Sequence, residues 1–489
     1  MLTNFPGRRL SVNRRISRLT LPLALLATLV VGLTEHGGRA QAAARPTATG
    51  TTTARPMAAA TTAAAARVVA DWPTYHGNGT RSGYAPSLKT VTTVPSQVWS
   101  IPLDGAVYGS PVIVAGGVKI VATENNSVYR VAGNKVVWRN HLGAPVPRSS
   151  LPCGNIDPTG ITGTPAYDAA TRTLIVVAFL ANPFRHVAVG LDPATGKQRW
   201  FRNVDVPSTV GGITAQAMQQ RGALLVSARR VYVPYGGLAG DCSTYRGSVV
   251  GLDLDKPSSA RLWHFTVPTS REAGIWTPPG PSENPGGGLL VAVGNGATAG
   301  TGNYDFSDSV LKLSFERIAD SFSPQSWRAD NTNDLDLGSQ GPAIVGNWVF
   351  IAGKSGTGYV LNRAHLGGIG GEVSSAPLCR SFGGTAVVGN VVYVPCDDGL
   401  RAVRIESNGK MTVLWHAASS IKGSPVVGGG EVWALDAGAG VLHMINPATG
   451  ADRRTFAVGA VNRFATPALY DNAIFIGTMS GGIKAFNWS

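Results

Sequence analysis

The feature that most constrains this chain is a short motif that returns along almost its whole length. G-S-P (Gly109–Pro111), G-T-P (Gly163–Pro165), Q-G-P (Gln340–Pro342), G-G-T (Gly383–Thr385), G-S-P (Gly423–Pro425) and A-T-P (Ala465–Pro467) each precede a strand-like run. Weaker openings near Thr214 and Trp276 bring the number to eight, at intervals of about 40 to 60 residues. Proline at the first position of a strand costs no ladder hydrogen bond, which suits it to such an opening. Between openings lies L-D-P-A-T-G-K-Q-R-W (Leu191–Trp200), with echoes at Ile445–Gly450, Lys135–Trp138 and Met411–Trp415. Asp-Pro or Asn-Pro followed by Thr-Gly is turn chemistry between two strands, and the tryptophan caps the core from the outer one. No stretch keeps a helical period for three turns, while short apolar runs such as Leu174–Phe179 and Val391–Pro395 are bounded by Gly, Asn and Asp. The pattern predicts an all-β chain folded as an eight-bladed β-propeller. The opening at Ala465 leaves room for only three strands before Ser489. Ser96–Leu103, carrying Trp99, is therefore expected to supply the missing outer strand, closing the ring with an N-terminal strand and removing an exposed sheet edge.

The first 70 residues read differently. Arginines at 8, 9, 14, 15 and 18 precede an apolar run from Leu19 to Leu33, and Ala40-Gln41-Ala42 fits a cleavage site, so residues 1–44 are expected to be a secretory signal peptide. The paired arginines also allow twin-arginine export. Residues 45–70 are almost wholly Ala, Thr and Pro and are expected to form a disordered linker. Residues 71–489 are left for the propeller, with no membrane span in the mature protein and a place outside the bacterial cytoplasm, either secreted, periplasmic or on the cell surface. Residues 1–70 hold nine Arg, one Glu and no Lys, so only +6 of the net charge of +14 belongs to the rest. A surplus that small, scattered along the chain, excludes a nucleic-acid surface.

Four cysteines in an exported chain predict two disulfides, for which three connectivities exist. Strand order narrows the choice. Strands in a blade run up and down, so the link between blades and the link between a blade's second and third strands share one face. That rule places Cys153, Asn155, Asp157, Thr214, Asp241, Cys242, Arg246, Trp276, Asn295, Asp334, Asp336, Lys354, Cys379 and Cys396–Asp398 on one rim. The expected pairs are Cys153–Cys242 and Cys379–Cys396. His76, His141, His264 and His416 show no paired ligand spacing and are assigned no role.

The alternation of strand, x-D-x-x-T-G-K-x-x-W and strand resembles the pyrroloquinoline-quinone (PQQ) repeat family, from roughly Asp71 to Trp488. Several rim segments resemble PQQ-dependent alcohol dehydrogenases more closely. G-I-W followed by L-L-V-A-V-G-N-G implies a ring-stacking Trp276 and a calcium-binding Asn295. N-D-L-D-L implies a catalytic Asp336, with Leu335 where a tryptophan is usual, and G-K-S-G-T-G-Y-V-L-N-R implies a cofactor-contacting Lys354. G-D-C-S-T-Y-R-G resembles the segment that brings a calcium-binding glutamate, for which Asp241 stands in, and Thr214 and Arg246 complete the cofactor-contacting set. The chain departs from those enzymes in having no adjacent cysteines and no haem-attachment motif. The resemblance implies PQQ and Ca²⁺ as cofactors, an alcohol or sugar as substrate, and a base at Asp336, taken to be a rim residue with little packing. The alternative is a non-catalytic propeller binding a protein or polysaccharide with the same rim at the cell surface. A third reading is an ion-stabilised structural domain with no ligand chemistry.

Overall fold

A computed structural model describes residues 69–489, apart from residues 208, 209, 299 and 419. The expected signal peptide and all but the end of the expected linker lie outside the described residues. Eight antiparallel sheets form the blades: 112–141, 166–203, 225–266, 282–323, 343–377, 386–416, 426–457 and 468–487. The innermost strands of most neighbouring blades touch, and Ala468–Tyr470 of blade eight meets Val112–Val114 of blade one, which shuts the ring. Ser96–Pro102 pairs antiparallel with Gly482–Asn487, setting Ser96 opposite Asn487 and Ile101 opposite Ile483. The closing strand is thus where the strand count required it.

Alternation along each strand explains why the blades read as continuous apolar runs. Val112, Val114, Ile120 and Val128 of blade one pack against Leu174, Val176, Val187 and Val189 of blade two. Their neighbours Ile113, Val121, Tyr129 and Val131 face the other way, toward Leu469, Ile474 and Ile476 of blade eight. Successive side chains point to opposite faces of a sheet, so a blade buried on both faces needs apolar residues at every position. Only the outer strands, such as Lys135–His141, are mostly exposed.

The Asp-Pro-Ala-Thr-Gly turn has a further role. The indole N–H of Trp138, on the outer strand of blade one, donates to Pro193 O of blade two at 3.1 Å. A Cβ at Gly196 would sit 2.6 Å from that indole, and Gly196 has φ +73°, so glycine is required there for both space and backbone. Trp415 of blade six repeats the contact with Pro447 O of blade seven at 2.8 Å, beside Gly450. Each such turn clips a blade to the tryptophan of the one before it.

Residues 72–85 cross the centre of the ring as a plug that no periodicity announced. Trp72 exchanges two backbone hydrogen bonds with Ile113 of blade one, and Tyr167 N of blade two donates to Pro73 O at 2.9 Å. Thr74 Oγ1 donates to Leu224 O beside blade three, and Glu283 N of blade four donates to Gly79 O. Val387 N of blade six and Val427 N of blade seven donate to Ser82 O and Gly83 O. His76 is fully buried and bonds Thr385 O and, through Nε2, Thr466 Oγ1 at 3.0 Å. Arg81, also buried, donates to Thr74 Oγ1, Pro281 O and Leu224 O. The plug satisfies polar groups of the inner strands that a hollow channel would leave to water. Among the described residues no helix is long and apolar enough to cross a membrane.

Two expectations need correcting. The opening of blade three lies at Gln220–Leu224, just before Leu225–Ser227, and Thr214 stands earlier, exposed, ahead of a 3₁₀ turn at Ala215–Ala217. The displacement arises because that opening, Q-R-G-A, lacks the Pro that marks most of the others. Asp336 is 3% exposed rather than a loosely held rim residue, because strand order tells which face a loop is on and not how deep a side chain goes.

Candidate functional site

Inter-blade segments converge at the mouth of the ring and enclose a cavity of about 260 Å³. It is lined by Asn155, Gln219, Arg221, Asp241, Tyr245, Trp276, Asn295, Asp336, Lys354, Phe382, Arg463 and Phe464, with neighbouring backbone. The volume lies near the lower end of small-molecule pockets, roughly 300 to 1,000 Å³.

Its polar centre is an ion pair between blades four and five. Asp336 immediately precedes the 3₁₀ turn Leu337–Ser339. Its Oδ1 accepts the backbone N–H of Asn295 at 2.7 Å, and its Oδ2 pairs with the Lys354 ammonium. Lys354 also donates to Asp334 Oδ1 at 2.6 Å, and its backbone N–H donates to Asp336 O at 2.9 Å. A Cβ at Gly294 would collide with the Asp336 carboxylate and one at Gly353 with the Asp336 backbone carbonyl, so the two glycines let the Asp336 loop approach. Burial pushes the Asp336 carboxyl above its ordinary value, against the pull of Lys354 and the Asn295 N–H. Burial also works against the charge on Lys354, but Asp336 and Asp334 outweigh it, and the ammonium is held above the usual lysine value. Behind the pair, Asp308 is fully buried, accepts Leu337 N–H at 2.9 Å, and is held well above the carboxylate range by burial and then by Asp336.

Aromatic walls flank this centre. Trp276 meets Phe464 edge-on with ring centroids 6.2 Å apart. The Arg221 guanidinium lies 4.5 Å from the Phe464 ring, and Arg463 lies 3.9 Å from Phe382. On the far side, Asp241 accepts a hydrogen bond from the Tyr245 hydroxyl, and its backbone O accepts from Arg271 at 2.6 Å. Asp241 has φ +48° and sits next to Cys242, whose disulfide to Cys153 spans Cα atoms 6.1 Å apart. That bridge ties the Asp241 loop to the segment before blade two. Cys379–Cys396 forms the second bridge, with Cα atoms 5.7 Å apart.

Six of the residues placed on the rim from the sequence, Asn155, Asp241, Trp276, Asn295, Asp336 and Lys354, therefore share one cavity. Thr214 and Arg246 do not line it; Arg246 donates to Thr269 O at 3.3 Å instead. Sequence reasoning missed Arg221, Tyr245, Phe382, Arg463 and Phe464. A usable signal was present: Arg463-Phe464 immediately precedes A-T-P, and Phe382 immediately precedes G-G-T, the positions that strand order assigns to this face.

As donors for a hard cation, the Asn295 side-chain amide and the carboxylates of Asp336 and Asp241 offer oxygen, the chemistry calcium takes. Lys354 already lies against Asp336, and Tyr245 against Asp241, so a bound cation would share those carboxylates with them. A flat anionic ring fits the cavity's indole and phenyl walls and the Arg463 guanidinium on Phe382.

Ring and cavity together define an eight-bladed β-propeller with a cavity at the mouth of its ring. Residues 92–274, which run from the closing strand through blade three, match the PQQ-repeat family model described as outer membrane protein assembly factor BamB. The match covers less than half of the chain; with the complete eight-bladed ring it is consistent with the PQQ-repeat β-propellers. No curated protein matches the chain significantly.

Proposed function

We propose that the chain is an exported quinoprotein oxidoreductase that oxidises an alcohol or sugar in the axial cavity. The observation that carries this reading is the Asp336–Lys354 pair, flanked by Asn295 and Trp276, on the wall of one pocket. When bound, PQQ would supply a two-electron acceptor, so that alcohol and quinone become carbonyl and quinol. The residues that would hold it are Trp276 through its face and Lys354 and Arg463 through charge; Asn295, Asp336 and Asp241 would hold calcium. Asp336 is suited to take the hydroxyl proton, because burial raises its basicity while Lys354 and the Asn295 N–H keep its carboxylate oriented. Phe382, Phe464 and Trp276 give the cavity apolar walls beside that proton transfer, which would limit water around it. Two disulfides among the described residues suit an oxidising compartment.

A second reading rests on the family description, which names an assembly factor: the same mouth would bind a protein or polysaccharide without chemistry. Dye reduction by protein loaded with PQQ and calcium, assayed over alcohols and sugars, separates the two. Turnover that is lost in Asp336→Asn supports the oxidoreductase. Loading without turnover, or no loading, supports the binding module.

A further inference from the structure

Three cations line the cavity, and two of them are already neutralised. Lys354 pairs with Asp334 and Asp336, and Arg463 pairs with Asp397 at 2.6 Å. Arg221 is different: among the described residues it has neither a hydrogen bond nor an ion pair. Its guanidinium lies against Phe464, whose ring is also approached by Arg463 at 5.7 Å. The nearest carboxylate charge, Glu124, acts on it only through space, and Glu124 Oε2 is itself committed to Gly160 N and Thr162 Oγ1. Arg221 also lines the small void beneath the cavity, next to Tyr108 and Asn462. A guanidinium held on an aromatic face keeps its N–H edge free for a planar anion, and a carboxylate is the group that fits that fork. Leaving such a charge half-buried and unpaired is costly, and a ligand carboxylate removes the cost.

We infer that the substrate is a hydroxy acid or sugar acid whose carboxylate docks on Arg221 while its hydroxyl reaches Asp336. The binding half stands on the geometry alone; the oxidation half rests on the quinoprotein reading. In that oxidation the carbinol C–H and O–H give up two electrons and two protons to the quinone, yielding the keto or aldehyde acid and the quinol. The carboxylate is not consumed.

The test is calorimetric or tryptophan-fluorescence titration of the full folded chain with gluconate and with glucose, with and without PQQ and calcium. Gluconate should bind at least tenfold more tightly than glucose. Arg221→Gln should remove that preference and leave glucose unchanged, while Arg221→Lys, which keeps the charge without the fork, should fall between. In loaded protein, Arg221→Gln should raise KM for gluconate with little change in kcat. Equal binding of the two sugars overturns the inference, as does an Arg221→Gln chain that is folded and still prefers gluconate. If Arg221→Gln instead loses PQQ while gluconate binding persists, Arg221 serves the cofactor and the inference falls. If gluconate binds through Arg221 but no quinone is ever retained, the acid receptor stands and the quinoprotein reading fails.

Discussion

Asn295 donates its backbone N–H to Asp336 Oδ1 at 2.7 Å, joining the end of blade four's second strand to the loop that opens blade five. This bond fixes the carboxylate with its other oxygen on Lys354, in a pocket wall built from two different blades. Asp336 is consequently both packed and chemically exposed to the cavity.

Asp336→Asn should therefore lower turnover of loaded protein by about 10²–10⁴, the usual cost of a lost general base. Its melting temperature should stay closer to that of the parent than Asp336→Ala does. Alanine leaves the Asn295 N–H without its acceptor, a loss of roughly 1–3 kcal/mol for a buried donor, and removes the partner of Lys354. Thermal unfolding of the two variants checks it; equal melting temperatures would mean the bond to the Asn295 N–H contributes nothing.

Glu124 makes stability depend on pH. Burial carries its carboxyl from 4.5 up to about 7, and its Oε1 has no partner among the described residues. The folded chain holds that proton more tightly than the unfolded one. The contribution is thus full below pH 4.5 and is lost as pH rises through about 7. Glu124→Gln, which cannot ionise, should flatten the decline between pH 5 and 8 by up to about 3 kcal/mol. Urea unfolding at the two pH values decides it, and parallel curves for parent and variant would refute the assignment.

Gly196→Ala tests the clip between blades one and two. The left-handed backbone and the Trp138 indole both resist a Cβ, so a loss of roughly 1–3 kcal/mol is expected. Trp138→Ala should remove much of the difference between Gly and Ala at 196, leaving only the backbone strain. A double-mutant cycle gives the coupling.

The blades were legible because their punctuation is local: G-S-P and A-T-P openings and D-P-A-T-G turns carry their own geometry. The closing strand Ser96–Pro102 followed from counting strands; which ends of strands share a face put Asn295, Asp336 and Lys354 on one rim, and the resemblance of their segments to PQQ-dependent alcohol dehydrogenases singled them out. Depth and non-local pairing were not legible. Asp336 looked like a rim residue because nothing in N-D-L-D-L reports that Gly294 and Gly353 leave room beneath it. Residues 72–85 hold their place through hydrogen bonds to seven blades, and such tertiary bonds have no sequence period. Arg221 was missed with the opening of blade three, whose Q-R-G-A lacks the proline, and Thr214 was taken in its place.

The most direct test of the central claim is an absorbance and equilibrium-dialysis titration of the folded chain with PQQ in the presence of calcium. The account predicts saturable binding of one quinone per chain, a shifted quinone spectrum, quenching of Trp276 fluorescence, and weakened retention in Trp276→Ala and Lys354→Gln. A quinone spectrum identical to that of free PQQ, with no retention across the titration, would contradict it.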